Sequence, residues 1–167
     1  EAIECDLLLL LVAVGDPITE IDRKLQTSLR ELSERVLESD HASIMERIQL
    51  VLTKSDTASK TSVDSAIEMV ATHGFINPIV ISSHTGVGIE ELRTTMLHSL
   101  FGPQRSVILH PGKQGDSAIE ALLSKLFDTV YVHEHQRNDN VIEVRISASD
   151  ETIAILQATY GERIELK

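Results

Sequence analysis

Two short stretches hold the residues whose types and spacing could do chemistry. Thr53-Lys54-Ser55-Asp56 closes the apolar run Ile48–Leu52, and Ser82-Ser83-His84-Thr85-Gly86-Val87-Gly88 opens at the end of the run Pro78–Ser82. A lysine and a carboxylate two residues apart, at the carboxyl end of a buried strand, stand where open α/β sheets bind ligands. A carboxylate accepts two parallel hydrogen bonds from a ring N–H and a neighbouring exocyclic amine. Guanine offers that pair on its base-pairing edge; adenine does not. The Lys54 stem can cover a flat base. A backbone N–H after the second stretch can donate to the guanine carbonyl.

These stretches need a frame that brings them to one edge. Asp6–Val14 is apolar without alternation, as in a parallel strand covered on both faces. Asp16-Pro17 reads as a helix N-cap with proline at the first position. Ile21, Leu25, Leu29, Leu32 and Val36 then mark one face of a long helix. After the strand Ile48–Leu52, the residues Val63, Ala66, Ile67, Val70 and Ala71 mark a second helix, stopped at Gly74. The strand Pro78–Ser82 leads to a third helix carrying Ile89, Leu92, Met96, Leu97 and Leu100, ended by Gly102-Pro103. This βαβαβα order predicts a parallel α/β sheet with right-handed crossovers, and it puts both stretches at one sheet edge.

Beyond Pro103 the pattern changes. Val107 and Leu109 read as a short strand, and Ser117 with Glu120 as a capping box for a helix holding Ile119, Leu122, Leu123 and Leu126. Val130 and Val132 alternate on a strand, Gln136–Asn140 is turn chemistry, and Ile142, Val144 and Ile146 alternate on the return. Ser149-Asp150 caps a helix ended by Gly161, and Ile164 and Leu166 close a last strand. The order βαββαβ predicts a small α+β, ferredoxin-like domain. The domains are placed at residues 1–103 and 104–167.

The chain has 167 residues, 42% hydrophobic, enough for one sizeable core or two small ones. Its net charge of −11 argues against free nucleic acid or an anionic membrane as a partner of this chain alone. One cysteine, Cys5, excludes an internal disulfide and fits a reducing cytoplasm. Leu7–Leu11 is too short to span a bilayer.

The pattern of a strand, then Thr-Lys-x-Asp, then a strand, then Ser-Ser-x-Thr-Gly-x-Gly-Ile-x-x-Leu resembles the base-recognition half of Ras-like, translation-factor-class GTPases. Within that class the opening AIECDLLLLLVAVGDP is most similar to the HflX type. The resemblance covers residues 1–101 and implies GTP or GDP as ligand. It places Asp56 against the guanine N1 and N2 hydrogens and Lys54 along the base. Thr53 stands where asparagine is usual. Ser82 and Ser83 begin the loop that touches the guanine oxygen, with Ser83 in place of alanine and His84 in place of leucine or lysine. Ala13 replaces an aspartate on the first strand. The implied partner is the large ribosomal subunit.

No GxxxxGK[ST] and no Asp-x-x-Gly occur in the sequence. The phosphate cradle and magnesium ligands of a GTPase are therefore expected in a longer parent. The chain reads as the second half of a P-loop GTPase domain, a truncated parallel three-layer α/β sheet, followed by the α+β domain. It is expected to hydrolyse no GTP alone. Its first strand, having lost a neighbour, is expected to expose an edge through which copies could dimerise. The alternative is a non-enzymatic module in which the ferredoxin-like half binds a protein or a small ligand. His133 and His135, two apart on a strand, should share one face, a possible start for a zinc site but more simply an exposed polar sheet surface.

Overall fold

A computed structural model describes residues 5–34, 41–112 and 116–167. The chain divides into two compact units, residues 1–94 and 95–167. The division falls within the helix Ile89–Phe101, nine residues before the position read from the sequence.

The first unit is built on three parallel strands in the order β1-β2-β3: β1 (Leu8–Ala13), β2 (Ile48–Thr53) and β3 (Ile79–Val80). β1 pairs with β2 in unbroken register from Leu8↔Ile48 to Ala13↔Thr53. Strand alternation sends Leu10, Val12, Leu50 and Leu52 to one face. There they meet α1 (Ile18–Ser33) and α3 (Lys60–Thr72) through Ile21, Leu25, Ala66 and Val70. Leu9, Val51, Ile79 and Ile81 face the other way and pack against Leu92 of α4 (Ile89–Phe101). A short helix, α2 (His41–Arg47), precedes β2 without a signal in the sequence pattern. Val36, expected on the face of α1, lies outside the described residues.

Local signals explain most boundaries and correct some. α3 starts at Ser59, whose hydroxyl accepts the Ser62 N–H at 3.1 Å, and stops at Gly74 with φ 92°. α1 begins differently from expectation. Pro17 itself holds the N-cap position, and Asp16 does not cap. Its carboxylate instead takes the Lys24 ammonium at 2.7 Å, one ion pair replacing one backbone bond. β3 is only two residues long because the chain at Ser82 leaves the ladder for a turn.

The second unit is a four-stranded antiparallel sheet in the order β5-β6-β4-β7. Its elements follow the chain as β4 (Gln104–Leu109), α5 (Asp116–Thr129), β5 (Tyr131–Asn138), β6 (Val141–Ser147), α6 (Asp150–Tyr160) and β7 (Ile164–Leu166). Val107, Leu109, Val144 and Ile146 form one apolar sheet face with Ile119, Leu126, Ile153 and Leu156 of the two helices. Ser149 caps α6 as expected, accepting the Thr152 N–H at 3.1 Å.

Three expectations for this unit are corrected. Ser117 lies inside the first turn of α5 rather than at its cap, and Glu120 pairs with Arg137 at 2.7 Å. Gln136 and Arg137 belong to the ladder, opposite Glu143 and Ile142, so the hairpin turn is Asp139-Asn140 alone, with Asp139 at φ 50°. The third is a register break between Val132 and Glu134, which makes His133 an extra residue in β5. His133 and His135 therefore do not share a face. His133 bonds Ser147 and meets the Tyr131 ring, while His135 meets Phe127 of α5 edge-on at 6.0 Å. Among the described residues no helix is long and apolar enough to cross a membrane.

Candidate functional site

Asp56 and Ser82 meet at the carboxyl ends of β2 and β3. The Ser82 hydroxyl donates to Asp56 Oδ1 at 2.6 Å, although the two residues are 26 positions apart. Ser82 is fully buried, and Asp56 is exposed. The loops are also stitched through backbone: the Ser55 N–H donates to Ile81 O at 3.1 Å, and the Ile81 N–H to Leu52 O at 2.7 Å. The ladder thus continues past β3 in hydrogen bonds, which fixes the height of Asp56 against the second loop.

The Asp56 carboxyl is held below its ordinary value. The Ser82 hydrogen bond is the largest cause. Partial desolvation opposes it, while a backbone hydrogen bond at Asp56 and the charge of His84 add to it. Asp56 is therefore an ionised acceptor at neutral pH, with one oxygen oriented by Ser82 and the group open to solvent.

Lys54 adopts a left-handed backbone conformation, φ 59° and ψ 37°, which is uncommon outside glycine and asparagine. Thr57 holds it there: its N–H and its hydroxyl both donate to Lys54 O, at 3.1 and 2.9 Å. Such an outlier, held by two bonds, points to a positional demand on the loop. The exposed Lys54 side chain stands in the same turn as Asp56. Nothing in the sequence marks Thr57 beyond its place three residues after Lys54.

Thr53 is not brought to the pair. Its hydroxyl donates to Val12 O of β1 at 3.3 Å, and its carbonyl accepts the Val14 N–H at 3.0 Å. Its work is to tie β2 to β1.

The second loop is a closed turn. Ser82 N–H donates to Val87 O and Gly86 N–H to Ser82 O, both at 2.9 Å, and Thr85 N–H donates to Ser82 Oγ at 3.1 Å. Among the described residues the N–H groups of Ser83 and His84 have no acceptor, and both residues are exposed at the tip. Gly88 sets the exit into α4. At φ 73°, a Cβ there would lie 2.1 Å from Val80 O. The arrangement offers a carboxylate for two donors, a neighbouring lysine, and backbone donors for one acceptor.

A cleft of about 490 Å³ lies beside this pair rather than on it, between the start of α1 and the start of α3. Thr57 is shared by its wall and the Lys54 turn. Among the described residues no three His, Cys, Asp or Glu side chains cluster as metal ligands. No protein-family model matches the chain, and no curated protein is significantly similar to it.

Proposed function

We propose that residues 1–103 carry the guanine-recognition half of a Ras-like GTPase domain of the HflX type, and that residues 104–167, which follow it in the chain, form a ferredoxin-like domain. The observation that carries the reading is the Asp56–Ser82 bond. It ties the two motif loops together and presents an oriented, ionised carboxylate beside Lys54 and the N–H groups of Ser83 and His84. That set complements the guanine edge, with its two adjacent donors and one acceptor. The sheet order β5-β6-β4-β7 in a βαββαβ chain supports the ferredoxin-like assignment. GTP or GDP is the nucleotide under this reading. Phosphate binding, magnesium and hydrolysis belong to segments with motifs that this sequence lacks. The large ribosomal subunit, in the cytoplasm, is the partner that the resemblance implies.

Amide NMR of the chain titrated with guanosine tests the reading without phosphates. Guanosine should shift Lys54, Ser83 and His84, and adenosine should not. In Asp56→Asn the amide donor opposes the guanine amine, so guanosine should lose and xanthosine gain, by about tenfold or more. Equal responses to guanosine and adenosine, or an Asp56→Asn variant that keeps its guanosine response, would reduce Thr53–Asp56 to a polar turn.

A further inference from the structure

This inference rests on the guanine reading and concerns what sets Lys54 and Asp56 for the base. The left-handed backbone at Lys54, φ 59°, is held by Thr57, whose hydroxyl donates to Lys54 O at 2.9 Å beside the N–H bond at 3.1 Å. That hydroxyl has a neighbour far back in the chain. A Cβ built on Gly15, in the turn that joins β1 to α1, would lie 3.2 Å from Thr57 Oγ1. Chain neighbours aside, it would come within 4 Å of no other described atom. The backbone of Gly15 is not left-handed, so its own conformation does not call for glycine. What the missing side chain leaves is room for the Thr57 hydroxyl.

Both sides of this contact are anchored. Val14, directly before Gly15, donates its N–H to Thr53 O at 3.0 Å, which fixes the exit of β1 against the residue before Lys54. Thr57 Oγ1 is committed to Lys54 O, and a displaced hydroxyl would stretch that bond.

We propose that Gly15 and Thr57 are positioning residues of the base site: the bare Gly15 backbone seats the Thr57 hydroxyl, the hydroxyl holds the Lys54 carbonyl, and the left-handed turn so formed sets the Lys54 stem and Asp56 to the guanine edge. Neither residue touches the base itself. Without the hydroxyl, Lys54 returns toward the right-handed and extended regions that residues with a Cβ favour. The competent turn then becomes a fraction of the population, and the apparent affinity falls with that fraction. The paired strands lie ahead of the turn and keep their register. With one hydrogen bond of ordinary net strength removed, guanosine should bind about threefold more weakly or worse.

Amide-shift titrations with guanosine test this on the wild-type chain, Thr57→Ser, Thr57→Ala, Gly15→Ala and the Gly15→Ala/Thr57→Ala pair. The strong intraresidue HN–Hα Overhauser effect of a positive φ at Lys54 is the second readout. Thr57→Ser keeps the hydroxyl and should keep both the affinity and the Lys54 signal. Thr57→Ala and Gly15→Ala should each lose about threefold or more in guanosine affinity and weaken the Lys54 effect, with the β2 amides in place. The pair should be no worse than Thr57→Ala alone, because a methyl at position 15 then has no hydroxyl to displace. Losses that add in the pair, losses with the Lys54 φ unchanged, or wild-type affinity in both single variants overturn the positioning role and leave the guanine reading standing. A wild-type chain in which guanosine shifts no amide takes down both.

Discussion

The Ser82 hydroxyl reaches the Asp56 carboxylate at 2.6 Å from a position with no exposed surface, so a buried residue of one loop orients an exposed residue of the other. Ser82→Ala removes that bond and the acceptor of the Thr85 N–H. The loss of a buried, bonded hydroxyl should lower stability by about 1 kcal/mol at neutral pH. Asp56 should then titrate closer to an ordinary aspartate. The folded carboxyl is held low, so its contribution to stability is present above the unfolded value near 4 and is lost as pH falls through the folded one. Urea midpoints should thus fall more steeply on acidification below about pH 4 in the wild type than in Ser82→Ala. Parallel acid limbs would mean that Ser82 does not tune Asp56.

Two glycines of the second loop should respond unequally to alanine. At Gly86, φ is 82° with nothing within 4 Å of a new Cβ, so the cost is the left-handed conformation alone, about 1 kcal/mol. At Gly88 the new Cβ would sit 2.1 Å from the Val80 carbonyl of β3. Since Ile81 and Ser82 bind that strand to β2 and to the turn, Gly88→Ala should cost more than about 3 kcal/mol and blur the β3 amide signals. Comparable losses at the two positions would show that the β3 backbone gives way more freely than its hydrogen bonds imply.

What the sequence discloses and what it hides divides along physical lines. The strands β1 and β2 and the buried faces of α1 and α3 are legible because apolar period and cap residues act locally. The two motif loops are placed by the same logic, since parallel crossovers carry successive strand ends to one edge. Hidden are the features decided by tertiary bonds. The left-handed turn at Lys54 depends on Thr57, and the diversion of Asp16 from capping depends on Lys24. The extra residue at His133 depends on where Ser147 lies across the ladder. Strict alternation puts His133 and His135 together, and one inserted residue undoes it.

β1 pairs on one side only among the described residues, and Leu11 is 61% exposed on it. Unpaired strand edges with apolar side chains recruit other strands. Light scattering should show association rising with concentration in the wild type, and Leu11→Lys should suppress it. A wild-type chain that stays monodisperse and monomeric at high concentration would mean that this edge is protected.

The two histidines of β5 should couple differently to Ser147. His133 Nε2 lies 2.9 Å from the hydroxyl of Ser147, which is only 2% exposed, and the Tyr131 ring stands 5.0 Å from the imidazole. His133→Phe keeps a ring beside Tyr131 but removes the Ser147 partner. Leaving that hydroxyl buried and unpaired should cost about 1–3 kcal/mol. Ser147→Ala removes the demand itself and should cost less, because the half-buried imidazole can turn to water. In the Ser147→Ala background His133→Phe should then cost less than in the wild type, a coupling that a double-mutant cycle reads directly. His135→Phe should show no coupling to Ser147, since His135 packs on Phe127 toward the helix layer. Equal coupling of both histidines to Ser147 would restore the shared face that simple alternation predicts and would remove the extra residue from β5.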